Sequence, residues 1–254
     1  DEHPLSITTE FAECPWNAEN RLVSIGLQGR LVDTENIPPM NLVFLIDVSG
    51  SMGDDIVMMK EAFKMLVNKM RPEDKIAIVT YAGASGLALS PTSGNNKRKI
   101  LAALSRLQSG GSTAGSEGIN LAYKLAKKNF VKGGNNRVIL ATDGDFNVGV
   151  TGDEALVSLI EKRREEGVFL SVLGFGMGNY QDAKMEQLAD NGNGNYAYID
   201  NIDEAKKVFV TEMSGTLYTI AKDVKLQLEF DSKYVESYRL IGYENRLLAN
   251  EDFD

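Results

Sequence analysis

Residues 41–52 read NLVFLIDVSGSM, and this stretch predicts both a fold and the position of a site within it. Its first six residues form a short apolar run that is typical of a strand buried in a parallel sheet. Asp47, Ser49 and Ser51 follow at alternate positions, so their side chains share one side while the chain remains extended. Gly50 then allows the chain to turn. We therefore expect three oxygen-bearing side chains together at the carboxyl end of a strand.

Strand-like and helix-like segments alternate from residue 41 to residue 220. Segment 54–70 has apolar residues three and four positions apart, which is the spacing of one helix face. Further helices are expected at 97–107, 116–130, 153–166, 182–190 and 203–220, and further strands at 75–81, 136–142, 168–174 and 195–199. This alternation predicts an α/β fold with a doubly wound, mostly parallel, Rossmann-like sheet. In such folds the ligand site lies beyond the carboxyl ends of the strands.

The two ends of the chain have a different pattern. Apolar and polar residues alternate there in three segments, at 21–32, 224–230 and 234–241. A period of two predicts half-buried antiparallel strands. Neither end is long enough to bury much of a core alone. We therefore expect one small, incomplete, sandwich-like β-rich domain formed by residues 1–40 and 222–254, with the α/β domain of residues 41–221 inserted between its parts.

The composition excludes several functional classes. The 254 residues carry a formal net charge of −9, which repels phosphate backbones, so nucleic acid is not an expected partner. Cys14 and His3 are the only residues of their types, which rules out an internal disulfide and a zinc site of cysteines and histidines. We interpret Cys14 as a small buried thiol. No apolar run approaches the ~20 residues that a transmembrane helix needs.

Two further stretches supply oxygen ligands. Residues 141–145 read ATDGD and place Asp143 at the end of another predicted strand. Residues 110–116 read GGSTAGS, a flexible loop that offers two serines and a threonine. Carboxylate and hydroxyl oxygens, without sulfur or imidazole, suit a hard cation such as Mg²⁺, with Mn²⁺ or Ca²⁺ as substitutes. The sequence therefore predicts a divalent-metal site.

These motifs resemble those of the von Willebrand factor type A domain family, a relative of the inserted domains of integrins. The metal-ion-dependent adhesion site of that family combines an Asp-x-Ser-x-Ser turn, a threonine in a later loop and an aspartate in a Thr-Asp-Gly turn. The resemblance implies five metal-binding residues: Asp47, Ser49, Ser51, Thr113 and Asp143. Ser49 and Ser51 would bind directly, and Thr113 or Asp143 would add a direct contact according to the state of the site. An acidic side chain of a protein partner would fill the open position.

The flanks extend the resemblance to a bacterial subgroup. ECPWN at 13–17, TDGDFNVG at 142–149 and LIGYENR at 240–246 are similar to stretches of envelope proteins that join such a domain to a β-rich extension. This resemblance implies an exported protein of the periplasm or cell envelope. Members are often lipoproteins, which leaves room for a lipid anchor on a missing N-terminal part. Because the sequence begins at Asp1 without Met, we expect it to be a processed or excised piece.

Simpler interpretations of the same residues stay open. Asp47 or Ser51 can cap the following helix without any metal. Asp145 is either an outer partner of the site or an exposed turn residue. Residues 174–178 resemble a dinucleotide loop but lack its third glycine, so we favour a close-packed turn. The lysines of helix 54–70 are interpreted as its solvated face: Lys60, Lys64 and Lys69.

The preferred hypothesis is a divalent-metal-dependent protein-binding module. We do not expect an enzyme, because no base or nucleophile accompanies the predicted metal site. One alternative is a metal-assisted phosphohydrolase on a Rossmann-like sheet, although a phosphatase of the haloacid dehalogenase type would need an aspartate where Ser49 stands. The other alternative is a structural scaffold with a vestigial metal site. Helix 203–220 would connect the two domains in any of these cases.

Overall fold

The computed structural model describes residues 5–29, 38–53, 55–82, 84–110, 115–144, 146, 152–176, 182–212 and 224–242. The chain divides into two compact units. One consists of Asp1–Arg30 with Thr219–Asp254, and the other of Leu31–Tyr218. That the first unit is an incomplete β-rich domain stays a prediction.

The helices and strands of the described residues follow in chain order. The strands are β1 (Leu5–Glu13), β2 (Arg21–Gly29), β3 (Met40–Asp47), β4 (Lys75–Ala82), β5 (Ala84–Ser93), β6 (Asn135–Thr142), β7 (Val168–Phe175) and β8 (Tyr196–Ile199). The helices are α1 (Asp55–Lys69), α2 (Lys97–Ser105), α3 (Gly115–Lys128), α4 (Gly152–Glu165), α5 (Asp182–Asn191) and α6 (Ile202–Lys206). A π-helical segment, Lys207–Glu212, continues α6.

The larger unit is built on a six-stranded sheet in the order β5-β4-β3-β6-β7-β8. All neighbouring strands are parallel except β4 and β5, which are antiparallel. The strand order reverses next to β3, since β4 lies on one side of it and β6 on the other. The predicted doubly wound, mostly parallel sheet is therefore confirmed. Its topological switch point lies between β3 and β6.

Helices cover both faces of this sheet, which explains the near-continuous apolar runs in its central strands. Every residue of β3, β6 and β7 is buried. On one face α1 packs its apolar stripe, and the ring of Phe63 lies 4.0 Å from that of Phe44 in β3. On the other face α3 packs Tyr123 beside a second apolar cluster. The two layers hold the ends of the central strands in fixed positions.

The smaller unit contains a regular hairpin. β1 and β2 pair antiparallel, with Ile7 opposite Leu27 and Phe11 opposite Val23. These residues lie on one face of the hairpin, because residues two apart in a strand point to the same side. Ile7 is 60% exposed and Phe11 76% exposed. Cys14 follows β1 and is buried, as predicted.

Several predictions about the ends of the chain are wrong. Segments 224–230 and 234–241 are not strands, and the side chains of the first are mostly exposed. An alternating pattern makes a strand only where a neighbouring backbone supplies hydrogen bonds.

Strands β1 and β5 have no counterpart among the predictions. The last predicted helix, 203–220, ends as an α-helix at Lys206, and its part beyond residue 212 lies outside the described residues.

Candidate metal centre

Asp47 and Asp143 lie at the carboxyl ends of two neighbouring strands. Asp47 is the last residue of β3, and Asp143 directly follows β6. The two strands are parallel, with Ile46 opposite Ala141, so they end side by side. This register places the two motifs at the same edge of the sheet, where the sequence predicts them. Asp47 is fully buried, whereas Asp143 is half-buried.

The turn after β3 brings the two predicted serines together. Their hydroxyl oxygens, Ser49 Oγ and Ser51 Oγ, are 2.9 Å apart. The backbone N–H of Ser49 donates to Asp47 Oδ1 at 2.8 Å, which closes a tight turn around the carboxylate. A short 3₁₀ turn, Gly50–Gly53, then leads towards α1. Ser49 is buried and Ser51 is exposed, so the hydroxyl pair runs from the protein interior to the surface.

Thr142 and Tyr81 complete the surroundings of Asp47. The Thr142 hydroxyl donates to Asp47 Oδ2 at 3.5 Å and accepts from the N–H of Gly144 at 3.2 Å. Tyr81 is opposite Asp47 in the β3–β4 register. Its hydroxyl is fully buried and makes no hydrogen bond of ordinary geometry within the described residues, although it lies near enough to Asp47 and Thr142 for both to affect its pKa. Neither residue was predicted to belong to the site, although Thr142 is part of the ATDGD motif.

The electrostatic environment disfavours a bare negative charge on Asp47. Burial raises the pKa of the Asp47 carboxyl, and the nearby charge of Asp143 raises it further, while hydrogen bonds from Ser49 act in the opposite direction. Burial and the charge of Asp47 likewise hold the pKa of Tyr81 well above its ordinary value. In the described part of the chain, no lysine or arginine forms an ion pair with Asp47.

These residues fit a hard divalent cation. A bound cation would offset the repulsion of the two carboxylates and compensate the buried charge of Asp47. The described residues contain no cluster of three or more His, Cys, Asp or Glu side chains with the spacing of a metal site. A cation at this edge would therefore depend on the serine hydroxyls as well as on the carboxylates, which is the donor set expected from the sequence.

Thr113, the fifth predicted ligand, lies outside the described residues, and so does Asp145. The chain just before the Thr113 loop is nevertheless held at the site. The N–H of Gly110 donates to the carbonyl oxygen of Val48 at 2.7 Å. Because Val48 stands between Asp47 and Ser49, this bond joins Gly110 to the turn that carries these two candidate ligands.

The prediction for Lys60 is wrong. Its side chain is half-buried, and Nζ donates to the carbonyl oxygens of Leu107 at 2.5 Å and Ser105 at 3.4 Å. Helix periodicity placed Lys60 on the polar side of α1 but could not show that the end of α2 lies there. Lys64 and Lys69 are exposed, as predicted.

The fold and the site together define a class of protein. It is a Rossmann-like α/β domain in which acidic and hydroxyl side chains gather at the carboxyl edge, beside the switch point. The chain belongs to the von Willebrand factor type A domain family, whose model matches residues 41–211. Residues 215–254 match a second family model, described as the C-terminal part of the uncharacterized protein YfbK. The resemblance of the sequence motifs to the von Willebrand factor type A family is thus confirmed.

The relatives include one at high identity. The chain is 48% identical to the uncharacterized protein YfbK of Escherichia coli K12 over 253 residues, which are 99% of this chain and 44% of that protein. It therefore spans less than half the length of that relative. No helix in the described part of this chain is both long and apolar enough to cross a membrane.

Two solved structures share the fold at low identity. An aerotolerance-related membrane protein of Bacteroides fragilis is 21% identical, with a TM-score of 0.56, over 69% of this chain and 99% of that one. The manganese-loaded TRAP protein of Plasmodium vivax is 20% identical, with a TM-score of 0.55, over 68% of this chain and 74% of that one.

Proposed function

We propose that this chain is a divalent-metal-dependent protein-binding module of a bacterial envelope protein. The observation that carries the proposal is the fully buried carboxylate of Asp47, which has a second carboxylate nearby and no ion-pair partner in the described residues. The hydroxyls of Ser49 and Ser51 lie beside it, 2.9 Å apart. Domains of this family generally serve as interaction modules, which supports binding rather than catalysis.

The proposed ligands are the five residues at and beside the ends of β3 and β6: Asp47, Ser49, Ser51, Thr113 and Asp143. Mg²⁺ is the proposed ion, with Mn²⁺ or Ca²⁺ as substitutes, because all donors are hard oxygens. The manganese-loaded state named for the Plasmodium vivax relative supports a divalent ion in this fold. Asp47 and Ser49 are buried and Ser51 is exposed, so residues that would hold the ion extend from the interior to the surface.

The proposed partner is a protein that presents a carboxylate. A bound cation supplies a positive centre at the sheet edge to which such a carboxylate can coordinate. The buried Asp47 turn would keep the serine hydroxyls oriented. An envelope location is supported by the membrane protein of Bacteroides fragilis that shares the fold. A lipid anchor stays a prediction.

Metal titration tests the proposal. Wild-type protein is expected to take up one Mg²⁺ or Mn²⁺ per chain in calorimetry. Ser49→Ala removes one hydroxyl ligand and should weaken binding by about tenfold or more, equivalent to about 1.4 kcal/mol. Ser6→Ala, an exposed serine of the hairpin, is the matched control and should bind as wild type does. Wild-type protein that takes up no ion at millimolar concentration contradicts the proposal.

The alternative functions give different results. A phosphohydrolase would release phosphate from a small phosphoester in Mg²⁺ and lose this activity in Asp47→Ala. A scaffold with a vestigial site would bind neither metal nor partner. For the binding module, a metal-dependent pull-down should recover a partner with wild-type protein and lose it with Ser49→Ala or with chelator.

A further inference from the structure

Lys60 makes a long-range contact that its position on α1 does not require. Its Nζ donates to the carbonyl oxygen of Leu107 at 2.5 Å and to that of Ser105 at 3.4 Å. Ser105 is the last residue of α2, and the last carbonyl groups of a helix lack partners within it. A lysine there satisfies these acceptors and interacts favourably with the negative end of the helix. Lys60 of α1 thus caps the C-terminus of α2.

The segment that Lys60 holds, residues 105–110, ends at the candidate metal centre. We call this segment the strap. Leu107 anchors its middle because the Leu107 side chain is buried. At its far end, Gly110 donates its N–H to the carbonyl oxygen of Val48 at 2.7 Å. The strap therefore joins Lys60 on α1 to the peptide between Asp47 and Ser49.

The two peptide groups that flank Val48 are each held by a hydrogen bond to another part of the chain. The Val48 N–H donates to the carbonyl oxygen of Tyr81 at 3.2 Å, and the Val48 carbonyl accepts from Gly110. These bonds fix the orientation of the chain through the turn. The same turn places the Ser49 N–H on Asp47 Oδ1 at 2.8 Å. Loss of the Gly110 bond would free one side of this peptide and let the Ser49 hydroxyl move away from that of Ser51.

We propose that Lys60 is a positioning residue for the metal site: it holds the strap so that Gly110 orients the Val48 peptide and, with it, Asp47 and Ser49. This inference rests on the proposed function, since it concerns the affinity of that site for metal. Lys60 does not touch the site itself. Its effect passes through the backbone of the strap.

The chain offers a matched control on the same helix. Lys64 lies one turn after Lys60 and pairs with Glu61 at 3.3 Å, and both side chains are about half exposed. Such a surface pair contributes little to stability. Lys60→Met keeps most of the apolar stem but removes the donors. Lys60→Arg keeps the charge and the donors, so it should restore the contact.

The experiment compares wild type, Lys60→Met, Lys60→Arg and Lys64→Met. Mn²⁺ affinity is measured by calorimetry, and hydrogen exchange of the Gly110 amide and thermal unfolding are measured in EDTA. We expect Lys60→Met to bind Mn²⁺ about tenfold more weakly and to exchange the Gly110 amide faster. Lys60→Arg should recover most of the affinity, and Lys64→Met should behave as wild type in all three measurements.

Two results overturn the inference alone. One is wild-type Mn²⁺ affinity in Lys60→Met. The other is weak binding shared by Lys60→Met and Lys60→Arg, with a matching loss of thermal stability in EDTA and unchanged Gly110 exchange, which would show a general structural role. A wild-type protein that binds no Mn²⁺ contradicts the proposed function, and this inference falls with it.

Discussion

Apolar side chains are buried in strand β3 but largely exposed in the hairpin β1–β2. Every residue of β3 is buried, because helices cover both faces of its sheet. The hairpin also gathers apolar residues on one face, yet Ile7 and Phe11 there are mostly exposed. A two-stranded hairpin is at best marginally stable by itself. Burial therefore follows from the layers that pack around a strand, and an apolar pattern alone does not provide it.

The largest expected difference between the two regions concerns a buried and an exposed phenylalanine. Phe63 of α1 is fully buried and lies 4.0 Å from Phe44 and 5.5 Å from Phe209, measured between ring centroids. Phe63→Ala should lower the free energy of unfolding in urea by about 3–5 kcal/mol, because it leaves a cavity. Phe11→Ala in the hairpin should change it by less than about 0.5 kcal/mol. Similar losses in both variants would break the comparison.

A second contrast sets a buried aspartate against an exposed one. Asp47→Asn keeps an acceptor for Ser49 but removes a charge next to Asp143, so metal affinity should fall by about a hundredfold, equivalent to about 2.7 kcal/mol. Because burial raises the pKa of Asp47, the same change should stabilise the metal-free protein. Asp231→Asn is the control, since the exposed Asp231 carboxylate accepts the Lys233 N–H at 2.9 Å at a turn of the chain. Calorimetry measures the metal affinity, and thermal unfolding in EDTA measures the stability of the metal-free protein. A metal-free Asp47→Asn protein less stable than wild type would contradict the expected stabilisation.

The smallest contrast concerns two surface ion-pair sites. Lys127 and Arg163 contact Glu166 at 2.9 and 2.8 Å and lower the pKa of its carboxyl. Their stabilising effect is present above the ordinary carboxyl pKa and is lost as the pH falls through the lowered pKa. Glu166→Gln should therefore cost about 0.5 kcal/mol at neutral pH and nothing in acid.

Glu13, which lies 3.7 Å from Arg21 in the hairpin, provides the control for that measurement. Both side chains are largely exposed, so Glu13→Gln should leave the unfolding free energy unchanged at either pH. Urea unfolding at the two pH values makes the comparison. A loss in Glu166→Gln that persists in acid would assign its effect to packing rather than to charge.

The sheet and the placement of most candidate site residues could be predicted because their signals are local. The run 41–46 is apolar at nearly every position, as a strand covered on both faces must be. Asp47, Ser49 and Ser51 follow it within five residues, so their proximity depends on little else. Asp143 could be placed beside them because parallel strands end at one edge.

The features that could not be predicted depend on contacts between residues far apart in sequence, which a local pattern does not reveal. Segment 224–230 alternates as a strand does, but it does not form one in the structure. Strand β5 includes Pro91 and Gly86, which weaken a strand signal, and it forms because β4 lies beside it. The role of Lys60 depends on Leu107, 47 residues further along the chain.

The site lies between two strands, β3 and β6, so its formation depends on the pairing of these strands during folding. Asp47 and Thr142, which touch across the site, are separated by 95 residues of sequence. Closing so long a loop is costly in entropy, and such non-local parallel pairing is slow. The carboxylate pair of Asp47 and Asp143 is therefore expected to form only when β3 and β6 pair. An ion that binds this pair has no such site in the unfolded chain, so it should raise the free energy of unfolding as its concentration rises.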